Sequence, residues 1–175
     1  MASERKKIFD IEIPGIRQKT SALSVSMDGL QGKIVKLDMA KILRGKNVDA
    51  AFIISKKEDH LEANFLSINL IPAYIKRMMR KGVSWIEDSF VAKSKDGVKL
   101  QIKPFMITKK KIHRSVKNAL RNRTKEFITK AVSEKSAQEI FSAIVYGEFQ
   151  KSLSHDLKKI YPLSLCEIRM VKTLK

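Results

Sequence analysis

Between positions 109 and 125 the chain reads Lys109-Lys-Lys-Ile-His-Arg-Ser-Val-Lys-Asn-Ala-Leu-Arg-Asn-Arg-Thr-Lys125, with no carboxylate before Glu126. Lys109, Lys110, Lys111, Arg114, Lys117, Arg121, Arg123 and Lys125 can all make charge-assisted hydrogen bonds to phosphate oxygens. Arg114, Lys117, Arg121 and Lys125 recur at i, i+3, i+7 and i+11, which on a helix makes one stripe opposite Val116 and Leu120. The stripe is about 16 Å long, enough to follow a few phosphates of an RNA strand. Asn118 and Asn122 lie beside it and can hydrogen-bond phosphate or 2′-hydroxyl oxygens. A merely solvated helix face usually mixes signs, with Glu–Lys pairs at i, i+4, and this one does not. Lys76, Arg77, Arg80 and Lys81 form a second cluster at the end of a short helix, where they suit the helix dipole as well as they suit phosphate. Arg5, Lys6 and Lys7 form a basic arm that can order on RNA.

Catalytic chemistry is poorly provided for. His60, His113 and His155 show no metal-ligand spacing, so no metal site is expected. The chain has no phosphate-cradling glycine loop, no dinucleotide fingerprint and no nucleophile elbow, so neither an enzyme nor a cofactor is expected. Glu87 and Asp88 are adjacent in a strand pattern and so point to opposite faces. Cys166 stands alone, which excludes an internal disulfide and a zinc finger, and it fits a reducing compartment. Its setting among Ile168 and Met170 reads as a small apolar residue on the inner face of a strand. Tyr74, Trp85 and Tyr161 read as core or edge packing rather than a stacking platform for bases.

The whole composition agrees with the tract. Lys plus Arg number 36 against 18 Asp plus Glu among 175 residues, a formal net charge of +18. Self-repulsion of that size opposes compaction, so a polyanion is the natural partner, either nucleic acid or an anionic membrane surface. The membrane alternative ranks last. No apolar run approaches the roughly 20 residues of a spanning helix, the N-terminus lacks a signal stretch, and the basic helix is poor in large apolar residues. A free-standing RNA-binding or chaperone-like factor is the second reading after a particle-bound protein.

The elements that must carry these residues follow from hydrophobic period. Ile8–Ile13 alternates as a strand, Arg17–Met27 is polar and weakly patterned, and Gly32–Met39 is a second strand. Residues 51–56 and 61–70 make a hairpin around Glu58-Asp59, with a phase slip that predicts a bulge near Phe65. A short helix covers 72–81, from Pro72 to just before Gly82. Trp85–Ser94 and Val98–Ile107 form another hairpin. Its Asp96-Gly97 suits a two-residue turn, but a three-residue loop with Gly97 left-handed pairs Phe90 with Ile102 and Ala92 with Leu100, the better hydrophobic match. Helical periods then follow: Lys109–Ser133 with Val116, Leu120, Phe127 and Ala131 on one side; a helix behind the capping box Ser136-Ala-Gln-Glu139; and a third marked by Phe149, Leu153, Leu157 and Ile160. The last strand, Leu163–Leu174, offers Arg169 and Lys172 to RNA and needs a sheet edge for its backbone. The fold expected is α+β: a mostly antiparallel, β-barrel-like sheet with a three-helix appendage and a C-terminal strand returning to the sheet. In domain terms, 1–108 is a β-rich core, 109–161 a basic helical appendage and 162–175 the strand completing the core.

Four stretches in order carry a family resemblance: Phe9-Asp-Ile-Glu-Ile-Pro14; Asp28-Gly-Leu-Gln-Gly-Lys-Ile-Val-Lys-Leu-Asp-Met-Ala-Lys-Ile42; Trp85-Ile-Glu through Asp96-Gly to Thr108-Lys109; and Ile160-Tyr-Pro-Leu163 with Glu167-Ile-Arg169 and Val171-Lys-Thr-Leu174. Together they resemble the small-subunit ribosomal protein family S3Ae, also called eS1, of archaea and eukaryotes. Ile16–Ala22 is shorter than in most members, and the lysine-rich N-terminal extension and C-terminal tail of cytosolic eukaryotic members are missing, so the compact form resembles the archaeal one. The resemblance implies a cytoplasmic, ribosome-bound structural protein, one copy per particle, with no catalytic residue. It implies a seat on the platform of the small subunit near the messenger RNA exit. The implied partners are the 3′ region of the small-subunit ribosomal RNA, neighbouring ribosomal proteins and, at the exit, messenger RNA. Within this chain it carries the Lys109–Lys125 tract and the basic ending over as regions of RNA contact.

Overall fold

The structure is a computed structural model that describes residues 6–14, 16, 18–40, 47–57 and 60–174. Arg5 and the Glu58-Asp59 turn lie outside the described residues. In chain order the strands β1 (Lys7–Ile13), β2 (Gln18–Ser24), β3 (Ile34–Asp38), β4 (Val48–Lys57) and β5 (His60–Leu70) lead to helix α1 (Pro72–Met78). Strands β6 (Trp85–Glu87), β7 (Phe90–Lys93) and β8 (Lys99–Thr108) follow, then helices α2 (Arg114–Glu134), α3 (Ala137–Tyr146) and α4 (Glu148–Leu157), then strand β9 (Leu163–Leu174).

Among the described residues the nine strands belong to one mixed sheet, which is not closed into a barrel. The α+β, mostly antiparallel class expected from the sequence is what the chain adopts; the one parallel pairing among the described strands joins β1 to β5 at Ile11–Leu61 and Glu12–Glu62. Strand β5 is paired along one side with β4, while its other side is shared between β1 and β9. Strand β8 pairs β9 along one side and is shared between β6 and β7 on the other. Strand β9 therefore returns to the sheet between β5 and β8.

Local chemistry explains the registers. On β5, Leu66 is the extra residue between the pairs Ala51–Ser67 and Phe52–Phe65, which is the bulge near Phe65 that the phase slip requires. It keeps Leu61, Ala63 and Phe65 buried before the slip and Ile68 and Leu70 buried after it. The β7–β8 hairpin pairs Phe90 with Ile102 and Ala92 with Leu100. Its three-residue loop turns on Gly97, whose φ of +80° a side chain would strain. The predicted strand 85–94 is divided into β6 and β7: Asp88 and Ser89 stand opposite Lys103 and Pro104, and Pro104 has no N–H to give to a ladder. The stretch 17–27 that reads as unpatterned holds β2. Its outer face is unburied, with Leu23 and its β1 partner Ile8 both exposed, so no alternation marks it.

The helices lie on the sheet: α2 against β6 and β7, α4 against β9 and α2, and α3 against α4. Phe141 of α3 stacks on Phe65 of β5 at 4.7 Å, and Phe65 meets Phe52 at 4.6 Å. The α2–α3 junction is pinned by the hairpin loop, since Asp96 accepts from the Ala137 N–H at 3.0 Å and Lys95 donates to the Lys135 carbonyl at 3.0 Å. The capping box forms as read: Ser136 Oγ accepts from the Glu139 N–H, and the Glu139 carboxylate accepts from the Ser136 N–H. One cluster of buried side chains runs through strands and helices alike.

Candidate nucleic-acid interface

Helix α2 begins at Arg114, not at Lys109. The segment before it is held by a knot of hydrogen bonds at the ends of β6 and β8. The Thr108 hydroxyl accepts from the Ser84 N–H at 3.1 Å and donates to the Lys110 carbonyl at 2.7 Å. The Ser84 hydroxyl in turn accepts from the Ile112 N–H at 3.2 Å. The residue before the helix, His113, is in extended backbone with ψ of 159°, so the segment held by these bonds does not continue the helix path. Lys109, Lys110 and Lys111 are therefore held in a pinned loop, all three exposed.

Along α2 the fully buried row is Leu120, Thr124, Ile128 and Val132, with Val116, Phe127 and Ala131 only partly buried beside it. Thr124 sits in the apolar row because its hydroxyl is satisfied by the Leu120 carbonyl at 2.7 Å and lies 3.3 Å from the Met106 sulfur. Moving the row's centre to Thr124 brings the cationic stripe alongside the buried row rather than directly opposite it. Arg114 and Lys125 are exposed, and Lys117 and Arg121 are half-buried. None of the four is in an ion pair among the described residues. Arg121 instead donates to Asn118 Oδ1 at 3.5 Å.

Arg123 behaves differently. It donates twice to the Asp156 carboxylate of α4, Nε to Oδ2 at 2.7 Å and Nη2 to Oδ1 at 3.0 Å, and lies 3.6 Å from Glu126. This clamp, chiefly its hydrogen bond, holds the Asp156 carboxyl below the usual carboxylate range and raises the guanidinium. Arg123 fastens two helices together. The groove beside it contains Glu126, Glu134, Glu148 and Asp156 against Arg123, Lys130 and Lys135. Carboxylates outnumber cations there, in a chain with the opposite balance, so a phosphate chain has no reason to enter it.

The remaining clusters separate. In α1, which ends at Met78 rather than 81, the Arg77 guanidinium lies 5.4 Å from the centre of the Tyr74 ring. Tyr74 is buried and Lys76, Arg77, Arg80 and Lys81 are all exposed. Arg80 and Lys81 lead through Gly82 and Val83 to Ser84, which is bonded to Thr108 and Ile112 on either side of the Lys109–Lys111 loop. Arg169 is the extra residue of a β9 bulge between the pairs Lys103–Met170 and Pro104–Ile168, and it is bound to Glu87 at 2.8 Å. Lys172 is exposed opposite Gln101. Lys6 and Lys7 are exposed at the start of β1, separated from β8 by β5 and β9. Cys166 is buried, and that burial pushes its thiol up to about 12, which suits the apolar role and not a nucleophile. Trp85 is 53% exposed, so it is no part of the core. Its position opening an edge strand, one residue before buried Ile86, is the sequence signal for that outward face.

The class is a basic α+β protein whose unpaired cations stand on exposed helix, loop and strand positions. The chain belongs to the ribosomal S3Ae family, whose model matches residues 2–175. It is similar to the small ribosomal subunit protein eS1 of Saccharolobus solfataricus, with 32% identity over 123 residues, 70% of this chain and 59% of that protein. The eS1 protein of Methanothermobacter thermautotrophicus is 31% identical over 111 residues, 63% of this chain and 57% of its own length. The chain thus spans less than two thirds of these curated relatives.

Proposed function

We propose that this chain is a structural constituent of the small ribosomal subunit, binding ribosomal RNA and acting without a catalytic step. The observation that carries this reading is the family match over residues 2–175, to a family whose similar members are named as small-subunit proteins. The physical support is the set of exposed cations without carboxylate partners: the Lys109–Lys111 loop, and Arg114 and Lys125 on α2. Such groups neutralise phosphates and release counterions, which supplies affinity without needing base sequence.

The finer reading has the protein on the platform near the messenger RNA exit, one copy per particle in the cytoplasm. It touches the 3′ region of the small-subunit RNA, neighbouring ribosomal proteins and messenger RNA. Within it, 1–108 and 162–175 form the sheet and 109–161 the basic helical layer that meets RNA. Of the candidates, Arg123 and Arg169 hold carboxylates of the chain itself, so the phosphate-facing set is weighted toward Lys109–Lys111, Arg114, Lys117, Arg121 and Lys125. Sedimentation of a cell lysate through a sucrose gradient tests the reading. The protein is expected with the small subunit at low salt and released by a high-salt wash. Recovery only in the free fractions at low salt overturns it in favour of a factor acting off the ribosome.

A further inference from the structure

We infer that Trp85 and the lysines on either side of it form a stacking site for an unpaired base of single-stranded RNA. The inference rests on the reading above and names the kind of RNA that one surface takes. Trp85 is 53% exposed and opens the edge strand β6. Its strand neighbour Ile86 is 1% exposed, so the indole stands on the face away from Ile86. Opposite Trp85 lies Ile107, 2% exposed, so the ring sits at the rim of covered apolar surface.

The surroundings are cationic on both sides in sequence. Arg80 and Lys81 precede β6, and Lys109, Lys110 and Lys111 follow β8, all exposed. The Ser84–Thr108 knot, one residue beyond Trp85 and its partner, joins the segments that carry the two runs. It also fixes the lysine loop at the Lys110 carbonyl and the Ile112 N–H. Neither 80–86 nor 108–113 contains an acid. Glu87, the carboxylate two positions along on the same face, is occupied by Arg169 at 2.8 Å.

An exposed indole flanked in the chain by exposed cations suits a ligand with an aromatic face and phosphates on both sides of it. A duplex keeps its base faces stacked inside, whereas a single strand can offer one. A protein partner would have to bring both an apolar contact and an acidic surround.

Trp85 is the sole tryptophan of the chain, so its emission reports on this surface directly. The test titrates the full chain with a short single-stranded RNA, with the same RNA as duplex, and with inorganic polyphosphate. Stacking is expected to quench the emission with single-stranded RNA alone. Trp85→Ala should weaken single-strand binding roughly 5- to 150-fold and leave polyphosphate binding unchanged, while Trp85→Phe keeps most of the affinity. Far-ultraviolet circular dichroism checks that both variants fold. RNA bound with a steep salt dependence but unquenched emission, and no loss in Trp85→Ala, overturns the stacking site and leaves the ribosomal reading intact. Equal quenching by the duplex or by polyphosphate also overturns it. Failure of the parent chain to bind any RNA sinks both.

Discussion

Replacing Arg114, Lys117, Arg121 and Lys125 together by Gln separates a phosphate-binding stripe from a decorated helix surface. Each phosphate neutralised on a single strand contributes about 0.7 to the slope of log affinity against log salt. Four engaged cations therefore account for about 2.8 of that slope. Over the fourfold change from roughly 50 to 200 mM salt, the parent should lose about 50-fold more affinity than the variant. None of the four holds a carboxylate among the described residues, and the buried row of α2 is Leu120, Thr124, Ile128 and Val132. The substitutions should accordingly cost stability no more than about 0.5 kcal/mol each, far less than the loss of a core side chain. Arg123→Gln is the internal control, because it breaks the clamp to Asp156 and should lower stability while leaving the salt slope alone. The assay is fluorescence anisotropy of a labelled ribosomal RNA fragment at several salt concentrations. A four-Gln variant with the parent's slope refutes the stripe as a phosphate contact, however basic it looks.

Leu120 is fully buried, so Leu120→Asp should destabilise by more than about 3 kcal/mol, read as a lower urea midpoint, with RNA binding lost only as the chain unfolds. The stability that Asp156 contributes is present above its ordinary pKa of 3.8 and is lost as pH falls through its lowered folded value. An acid-unfolding profile should therefore be shallower below about pH 4 in Asp156→Asn, and an unchanged profile would discount the clamp. Deleting everything after Pro162 removes the strand that pairs both β5 and β8, and should abolish a cooperative thermal transition of the sheet; survival of that transition would show the sheet to be self-sufficient without β9.

Where a residue's fate was set by near neighbours, the chain could be read directly. The β7–β8 register followed from matching Phe90 to Ile102 around Gly97, the Leu66 bulge from a phase slip, and the α3 start from Ser136 and Glu139. Distant partners hid the rest. Helix α2 starts five residues late, after a loop that Ser84 and Thr108, 24 positions apart, hold at the Lys110 carbonyl and the Ile112 N–H. Thr124 looks polar in sequence, yet its hydroxyl turns back on the Leu120 carbonyl and lets it sit in the apolar row. The roles of the cations divide the same way: spacing found the α2 stripe, but that Arg123 serves Asp156 and Arg169 serves Glu87 depends on residues 33 and 82 positions away. For Trp85 the sequence leaves core and edge packing open, because the alternation of β6 shows which residues share a face and not which face is covered.

Strand β9 has a consequence for how the protein is made. It lies between β5 and β8, yet every residue it pairs with leaves the synthesising ribosome earlier. At about 5–20 residues per second, the sheet waits with two open inner edges through translation of the three intervening helices. Pairings this distant along the chain close slowly, and open edges invite the edges of other nascent copies. The surplus of positive charge then has a use before any RNA is met, since like-charged nascent chains repel one another while their sheets remain unfinished.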